Sequence, residues 1–290
     1  MMKLKPVFSM ATAAFTAAVL LTAASGTAQA GDAEVAAKAS EQIVATADRS
    51  AETAGEVRDA EDRSDVSVSS SDGSVAMDGV TMRTDVEDTA VEQVSGSVVQ
   101  TGSDDMAIVT REHEEGAQTM VVLQSPDSPR SVSFTFDQGA TLRMARDLGV
   151  ESDEVLVMQG SQVHSLIDSP WAVDANGNRV ETYYSVTGNT LTQHLKPTAD
   201  TAYPVTMDPD WVGIAKCAGA IALAAGAIIV PGGLVAKLIS KVGSLKKAAK
   251  IIYRTVKAKK YNDKVKALRT MAVELGASLT GIGLIADKCG

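Results

Sequence analysis

Apolar side chains recur at three- and four-residue steps near the end of the chain. Val235, Leu238, Val242, Leu245, Ala249, Ile252 and Val256 form one continuous stripe. That period predicts an amphipathic helix. Val265, Leu268, Ala272, Leu275, Leu279 and Ile282 repeat the spacing after Asn262 or Asp263, either of which can cap a further helix. Ahead of both stripes runs CAGAIALAAGAIIVPGGLVA, residues 217 to 236, without a charge. Pro231 should end or kink a helix there, because an interior proline loses one hydrogen bond and clashes with the preceding turn.

From about 104 to 211 the pattern changes to short β-rich runs. MAIVT, TMVVLQ, SVSFTF, EVLVMQ and ETYYSV are punctuated by SPDSP, DQGA, ESDE, DANGN and TGNT. The spacing predicts antiparallel hairpins in a sandwich or meander of roughly six to eight strands. Asn176-Gly177 and Gly188-Asn189 are the best tight-turn candidates.

Residues 31 to 103 contain no Trp, Tyr or Phe and are rich in Ala, Ser, Asp, Glu and Val. Such a stretch buries little apolar surface against its ordering entropy and is expected to be a largely flexible acidic leader. Within it, Glu34 to Val57 has helix-forming composition, and VSVSSSDGSVAM at 66 to 77 alternates like a weak strand.

The first thirty residues read as a secretory signal peptide: Lys3 and Lys5, an apolar stretch from Val7 to Ala24, then Ala28-Gln29-Ala30 as a cleavage site. Export bears on Cys217 and Cys289, the chain's two cysteines. An even pair in an oxidising compartment is expected to be bonded. A bridge there would join the two ends of the helical region and contribute a few kcal/mol by the loop-entropy model.

Charge is unevenly spread. Residues 31 to 211 hold 11 Lys and Arg against 33 Asp and Glu, a net of −22; residues 212 to 290 hold 14 against 3, a net of +11. With Lys3 and Lys5 these make up the chain's −9. The acidic whole thus conceals a basic C-terminal region that anionic surfaces would attract.

Within the β-rich region the sequence also resembles a module that recurs in secreted actinobacterial proteins. The resemblance covers about Ser131 to Trp211 and rests on Pro170-Trp171-Ala172, Asp174-Ala175-Asn176-Gly177, Gly188-Asn189-Thr190-Leu191, Tyr203-Pro204-Val205 and Asp208-Pro209. It implies secretion and architecture rather than a particular chemistry. The C-terminal region resembles helical bacteriocins at the level of class only, being small, rich in alanine and glycine, and cationic.

These features predict an α+β chain: a signal peptide (1–30), the acidic leader (31–103), an antiparallel β module (104–211) and a small cationic helical bundle closed by a disulfide (212–290). The expected function is membrane activity. Lys237, Lys241, Lys246, Lys247, Lys250, Arg254 and Lys257 would meet an anionic lipid membrane, Ile221, Leu223, Ile228, Ile229 and Val230 would insert, and the acidic region would act as an intramolecular mask. The alternative is a non-enzymatic secreted structural or cell-surface protein, anchored through residues 217 to 236. Lysine-rich helix faces are also commonly just solvated.

An enzyme is not expected. His113, His164 and His194 show no ligand spacing, no phosphate-binding glycine pattern is present, and no cofactor or metal is indicated. Asp137, Asp174 and Asp208 are expected in turns, held by local backbone bonds, and DANGN lacks the remaining ligands of an EF-hand loop. Specific nucleic-acid reading is not indicated, since Tyr253 and Tyr261 are the only aromatics of the basic region.

Overall fold

The computed structural model describes residues 30–56, 66–86, 90–102, 104–148, 151–160, 162–213, 233–256, 259–279 and 282–288. The first element is a helix, α1 (Ala30–Ala54), whose buried positions Ser40, Val44, Ala47, Ala51 and Ala54 follow steps of four and three. The first eight strands are β1 (Val66–Val68), β2 (Val75–Met77), β3 (Val80–Thr84), β4 (Ala90–Val94), β5 (Ser97–Thr101), β6 (Met106–His113), β7 (Gly116–Leu123) and β8 (Ser131–Phe136). The next eight are β9 (Ala140–Met144), β10 (Val155–Gln159), β11 (Gln162–Ile167), β12 (Trp171–Val173), β13 (Glu181–Thr187), β14 (Thr190–Lys196), β15 (Val205–Asp208) and β16 (Asp210–Gly213). Four more helices follow: α2 (Leu234–Val242), α3 (Leu245–Val256), α4 (Tyr261–Glu274) and α5 (Ile282–Lys288).

The architecture is therefore mixed, with two large antiparallel sheets and, among the described residues, five helices. One sheet has six strands in the order β1-β2-β3-β8-β14-β13, and the other strands form a sheet of ten. Strand β7 is the hinge of the larger sheet. One edge pairs with β6 along its length; the other is shared by β15, opposite Val121 to Leu123, and β16, opposite Gly116 to Gln118. Between them Thr119 N donates to the carbonyl of Pro209 at 3.2 Å. Proline has no N–H to give, so the run breaks there. Beyond the break β15 continues to β12 and β16 to β11.

The facing sides of the sheets enclose the main core, which includes Met77, Met82, Phe134, Phe136, Tyr184 and Trp211. Phe136 meets Trp211 edge-on at 5.1 Å, and Trp211 Nε1 donates to Ser165 Oγ at 2.7 Å. Strands β8 and β14 alternate buried and less buried positions, whereas every residue of β7 is buried. The reason is that the outer face of the larger sheet is covered as well. Over Val99, Val109, Met120, Val122, Trp171 and Val173 lies α1; over Leu156 and Leu166 lie the C-terminal helices.

Several expectations need correction. The stretch 31 to 103 supplies α1 and five strands. It needs no aromatics of its own, because its alanine, valine and methionine faces are covered by strands carrying Phe134, Phe136 and Trp171. VSVSSSDGSVAM becomes the β1–β2 hairpin. From residue 104 to 213 eleven strands, β6 to β16, replace the expected six to eight, partly because short pieces such as β12 and β15 lack a visible period. Trp211, placed at a domain boundary by sequence, is a fully buried core residue.

The helical region also differs in detail. The first stripe is split into α2 and α3 at Gly243, which takes φ 71° and donates its N–H to the carbonyl of Ile239. Its apolar positions are buried apart from Val242, which is half-buried. The second helix begins at Tyr261, with Lys260 rather than Asn262 or Asp263 at its cap and no side-chain cap bond. It ends at Glu274, so Leu279 falls between helices and is exposed. The expected turn at Gly188 joins β13 to β14 with φ 63°. Asp174 also fits expectation: Oδ1 accepts from the amides of Asn176 and Asn178. Burial pushes its carboxyl up, but these bonds and those from Asn178 Nδ2 and Ala202 N hold it below the ordinary value.

Candidate functional site

The C-terminal helices do more than rest on apolar surface. Just before β10 the fully buried Glu154 receives the N-terminus of α3. Its Oε1 accepts from Ser244 Oγ at 2.8 Å and Lys246 N at 3.0 Å, and its Oε2 from Leu245 N at 2.6 Å and Ser152 Oγ at 2.6 Å. Ser244 Oγ in turn accepts from Lys247 N at 3.1 Å. Helix amides that would otherwise be buried without partners are thereby satisfied, and the negative charge sits at the positive end of the helix dipole.

From the same first turn, Lys246 points into a ring of acids from three parts of the sheet. Its Nζ lies 2.7 Å from Asp168 Oδ2 after β11, 3.4 Å from Glu115 Oε2 in the β6–β7 turn, and 3.6 Å from Asp210 Oδ2 in β16. Lys250 pairs with Glu115 Oε1. His113 Nδ1 accepts from the Glu115 amide at 3.1 Å, which assigns a proton to Nε2. That nitrogen donates to Asp210 Oδ1 at 2.8 Å.

These surroundings set the carboxyls differently. Burial raises Asp168 to about 6, against the pull of Lys246 and with help from the charges of Asp210 and Glu154. Burial also pushes Glu115 upward, but the hydrogen bonds and charges of Lys250 and Lys246 more than offset it, leaving it below its ordinary value. The seam thus combines one carboxylate held firmly ionised with another that takes a proton near mild acidity.

Of the cations expected at a membrane, Lys246 and Lys250 are engaged by the sheet. Lys237, Lys241, Lys247 and Arg254 have exposed positions on α2 and α3. Lys257 lies outside the described residues, as do Ile221, Leu223, Ile228, Ile229, Val230, Cys217, Cys289 and the signal-peptide stretch. Among the described residues no helix is long and apolar enough to cross a membrane.

Sequence reasoning passed over Glu115, Glu154, Asp168 and Asp210, and set His113 aside for want of ligand spacing. The usable signal was slight: Asp208-Pro209-Asp210 sits in a β-rich run where two acids interrupt an otherwise apolar pattern. Asp208, expected in a turn, is instead a fully buried strand residue beside this seam.

A second feature lies between α4 and α5. An open groove of about 810 Å³ is bordered by Tyr261, Val273 and Leu279, which are 52%, 72% and 51% exposed, and by Lys266 and Arg269, with Glu274 also lining it. Large apolar side chains left in solvent together mark a contact surface more often than scattered ones do.

Among the described residues no cluster of three His, Cys, Asp or Glu side chains is arranged to hold a metal ion. The seam's chemistry is mutual neutralisation: a basic helix is docked, capped and discharged by an acidic sheet. Comparison with known proteins found no matching family model, curated protein or solved structure.

Proposed function

We propose that this is a secreted, membrane-active protein whose cationic helical region, a bundle closed by a Cys217–Cys289 bridge, is held in check by the acidic β-rich region. In this reading Glu115, Asp168 and Asp210 neutralise Lys246 and Lys250, Glu154 pins the start of α3, and the apolar stripe stays against the sheet. Release exposes that stripe and its lysines to an anionic bilayer, where apolar burial and charge attraction act together. The observation that carries the reading is the engagement of Lys246 by three carboxylates of the sheet. The groove bordered by Tyr261, Val273, Leu279, Lys266 and Arg269 adds a surface of the same chemistry.

The test is dye release from anionic and neutral vesicles by the full chain and by its Glu115→Gln variant, which removes the carboxylate that Lys250 and Lys246 hold ionised. Weakening the seam should increase release from anionic vesicles, with little effect on neutral ones, and added salt should reduce initial binding. If neither chain binds or permeabilises anionic vesicles under any of these conditions, the helical region is a structural layer and the reading fails.

A further inference from the structure

One buried carboxyl takes no direct part in docking the helices. Asp208 stands before the chain's single Asp-Pro bond. Its Oδ2 accepts from Gln118 Nε2 at 3.2 Å, while Oδ1, also buried, meets no hydrogen-bond donor among the described residues. A buried oxygen in that position calls for a reason. The same residue's carbonyl oxygen accepts from Tyr184 Oη at 3.0 Å. Tyr184 is 1% exposed. Burial first, then the charges of Asp208, Asp168 and Asp210, raise its hydroxyl well above the ordinary range, so it remains a donor. Burial likewise raises Asp208, with the Asp210 charge adding to it and Gln118 opposing.

A carboxyl oxygen, a polarised carbonyl and a proline nitrogen thus meet at one peptide bond. We propose that the protein cuts its own chain between Asp208 and Pro209, with Asp208 as nucleophile and Tyr184 as the donor to the oxyanion. A side-chain oxygen of Asp208 bonds to that residue's own carbonyl carbon and closes a five-membered ring, an intramolecular attack that needs no second molecule to be positioned. Tyr184 stabilises the charge that develops on the carbonyl oxygen. The ring intermediate then breaks its bond to Pro209. The departing nitrogen takes the proton given up by the carboxyl and leaves as a secondary amine. One water opens the resulting cyclic anhydride and restores both carboxyls of Asp208.

The position of this bond gives the cut a consequence. It separates β15, which stays paired with β7 and β12, from β16, which stays paired with β7 and β11. The two pieces therefore remain assembled through β16, Trp211 and the Lys246 seam. Only the purpose of the cut, to make the basic region detachable, rests on the membrane-active reading.

Intact-mass measurement of the purified, folded full chain during incubation in neutral buffer tests the proposal. The expected result is two fragments, ending at Asp208 and beginning at Pro209, whose masses add to the parent plus one water, formed at a rate independent of protein concentration. Tyr184→Phe should slow the cut by about a hundredfold, and Asp208→Asn should stop it. Pro209→Ala, which retains the carboxyl but changes the leaving nitrogen, should slow it too and serves if Asp208→Asn does not fold by circular dichroism. A folded wild-type chain that stays intact, or one that is cut equally fast when unfolded in urea or carrying Tyr184→Phe, overturns the proposal. Dye release does not enter this readout, so failure of the membrane-active reading would be seen separately.

Discussion

The outer face of the ten-stranded sheet wears two covers built on different principles. Over β5, β6, β7 and β12, α1 is sealed by small side chains, Ala47, Ala51 and Ala54, with Val44. Its charged tie is Asp48 with Arg111 at 2.6 Å, a contact in which Asp48 is half-exposed and the atoms are not aligned as a hydrogen bond. Over β10 and β11, the C-terminal helices bring larger side chains, Leu238, Ile239, Leu245 and Ile252, and add the buried Glu154 cap and the Lys246 seam. Close apolar packing makes a cover permanent. Buried charge makes its docking depend on protonation and on partner geometry, which is what a releasable element requires.

The largest expected effect separates the covers at Glu154. Glu154→Ala leaves the Ser244 hydroxyl and the Leu245 and Lys246 amides without their acceptor, and should cost about 3–5 kcal/mol. Hydrogen exchange should show α3 losing protection while α1 keeps it. Next, Ile252→Ala should cost about 2–5 kcal/mol by opening a cavity, whereas Ala51→Leu should cost about 1–3 kcal/mol by overfilling the close α1 contact. Thermal unfolding of the two variants compares a large-residue seal with a small-residue one.

The Asp168 contribution is smaller and depends on pH. Because its folded value is about 6, against an ordinary 3.8, the folded chain binds this proton more tightly. The penalty for burying its charge is fully present above pH 6 and is relieved as pH falls toward 3.8. Glu115, held below its ordinary value, works in the opposite sense and loses its contribution on acidification. Stability measured between these limits should therefore change slope in Asp168→Asn, by on the order of 2 kcal/mol across the window, and carboxyl NMR should show Asp168 titrating near 6. The smallest effect is expected for Glu34→Ala on α1, below about 1 kcal/mol in chemical denaturation, since its pair with Lys38 at 2.6 Å is exposed on both sides.

Much of the local structure is legible in the sequence because it depends on neighbours a few residues away. The α1 span, the runs that became β6, β7, β8, β10 and β13, the stripe of α2 and α3, and the turns at Asp174 and Gly188 all follow from period or turn chemistry. What sequence does not show is which surfaces meet. The 66–101 strands look too poor in apolar mass until Phe134 and Phe136 of β8 lie across from them. Lys246 and Lys250 belong to a cationic helix face by periodicity, yet their partners are far off in sequence: Asp168 is 78 positions from Lys246, and Glu115 is 135 from Lys250. Long-range charge pairing of that kind leaves no local pattern, and so the candidate site was largely hidden.

The central claim is that the C-terminal cover leaves the sheet on meeting an anionic membrane while the α1 cover stays. Hydrogen exchange of the full chain with and without anionic vesicles measures this directly. The account predicts that amides around Leu245 and Ile252 change protection when vesicles are added, that those of β6, β7 and α1 do not, and that Glu115→Gln shifts the response to lower lipid concentration. Unchanged protection of α3 at saturating vesicle concentration, in both the wild-type chain and that variant, would contradict it.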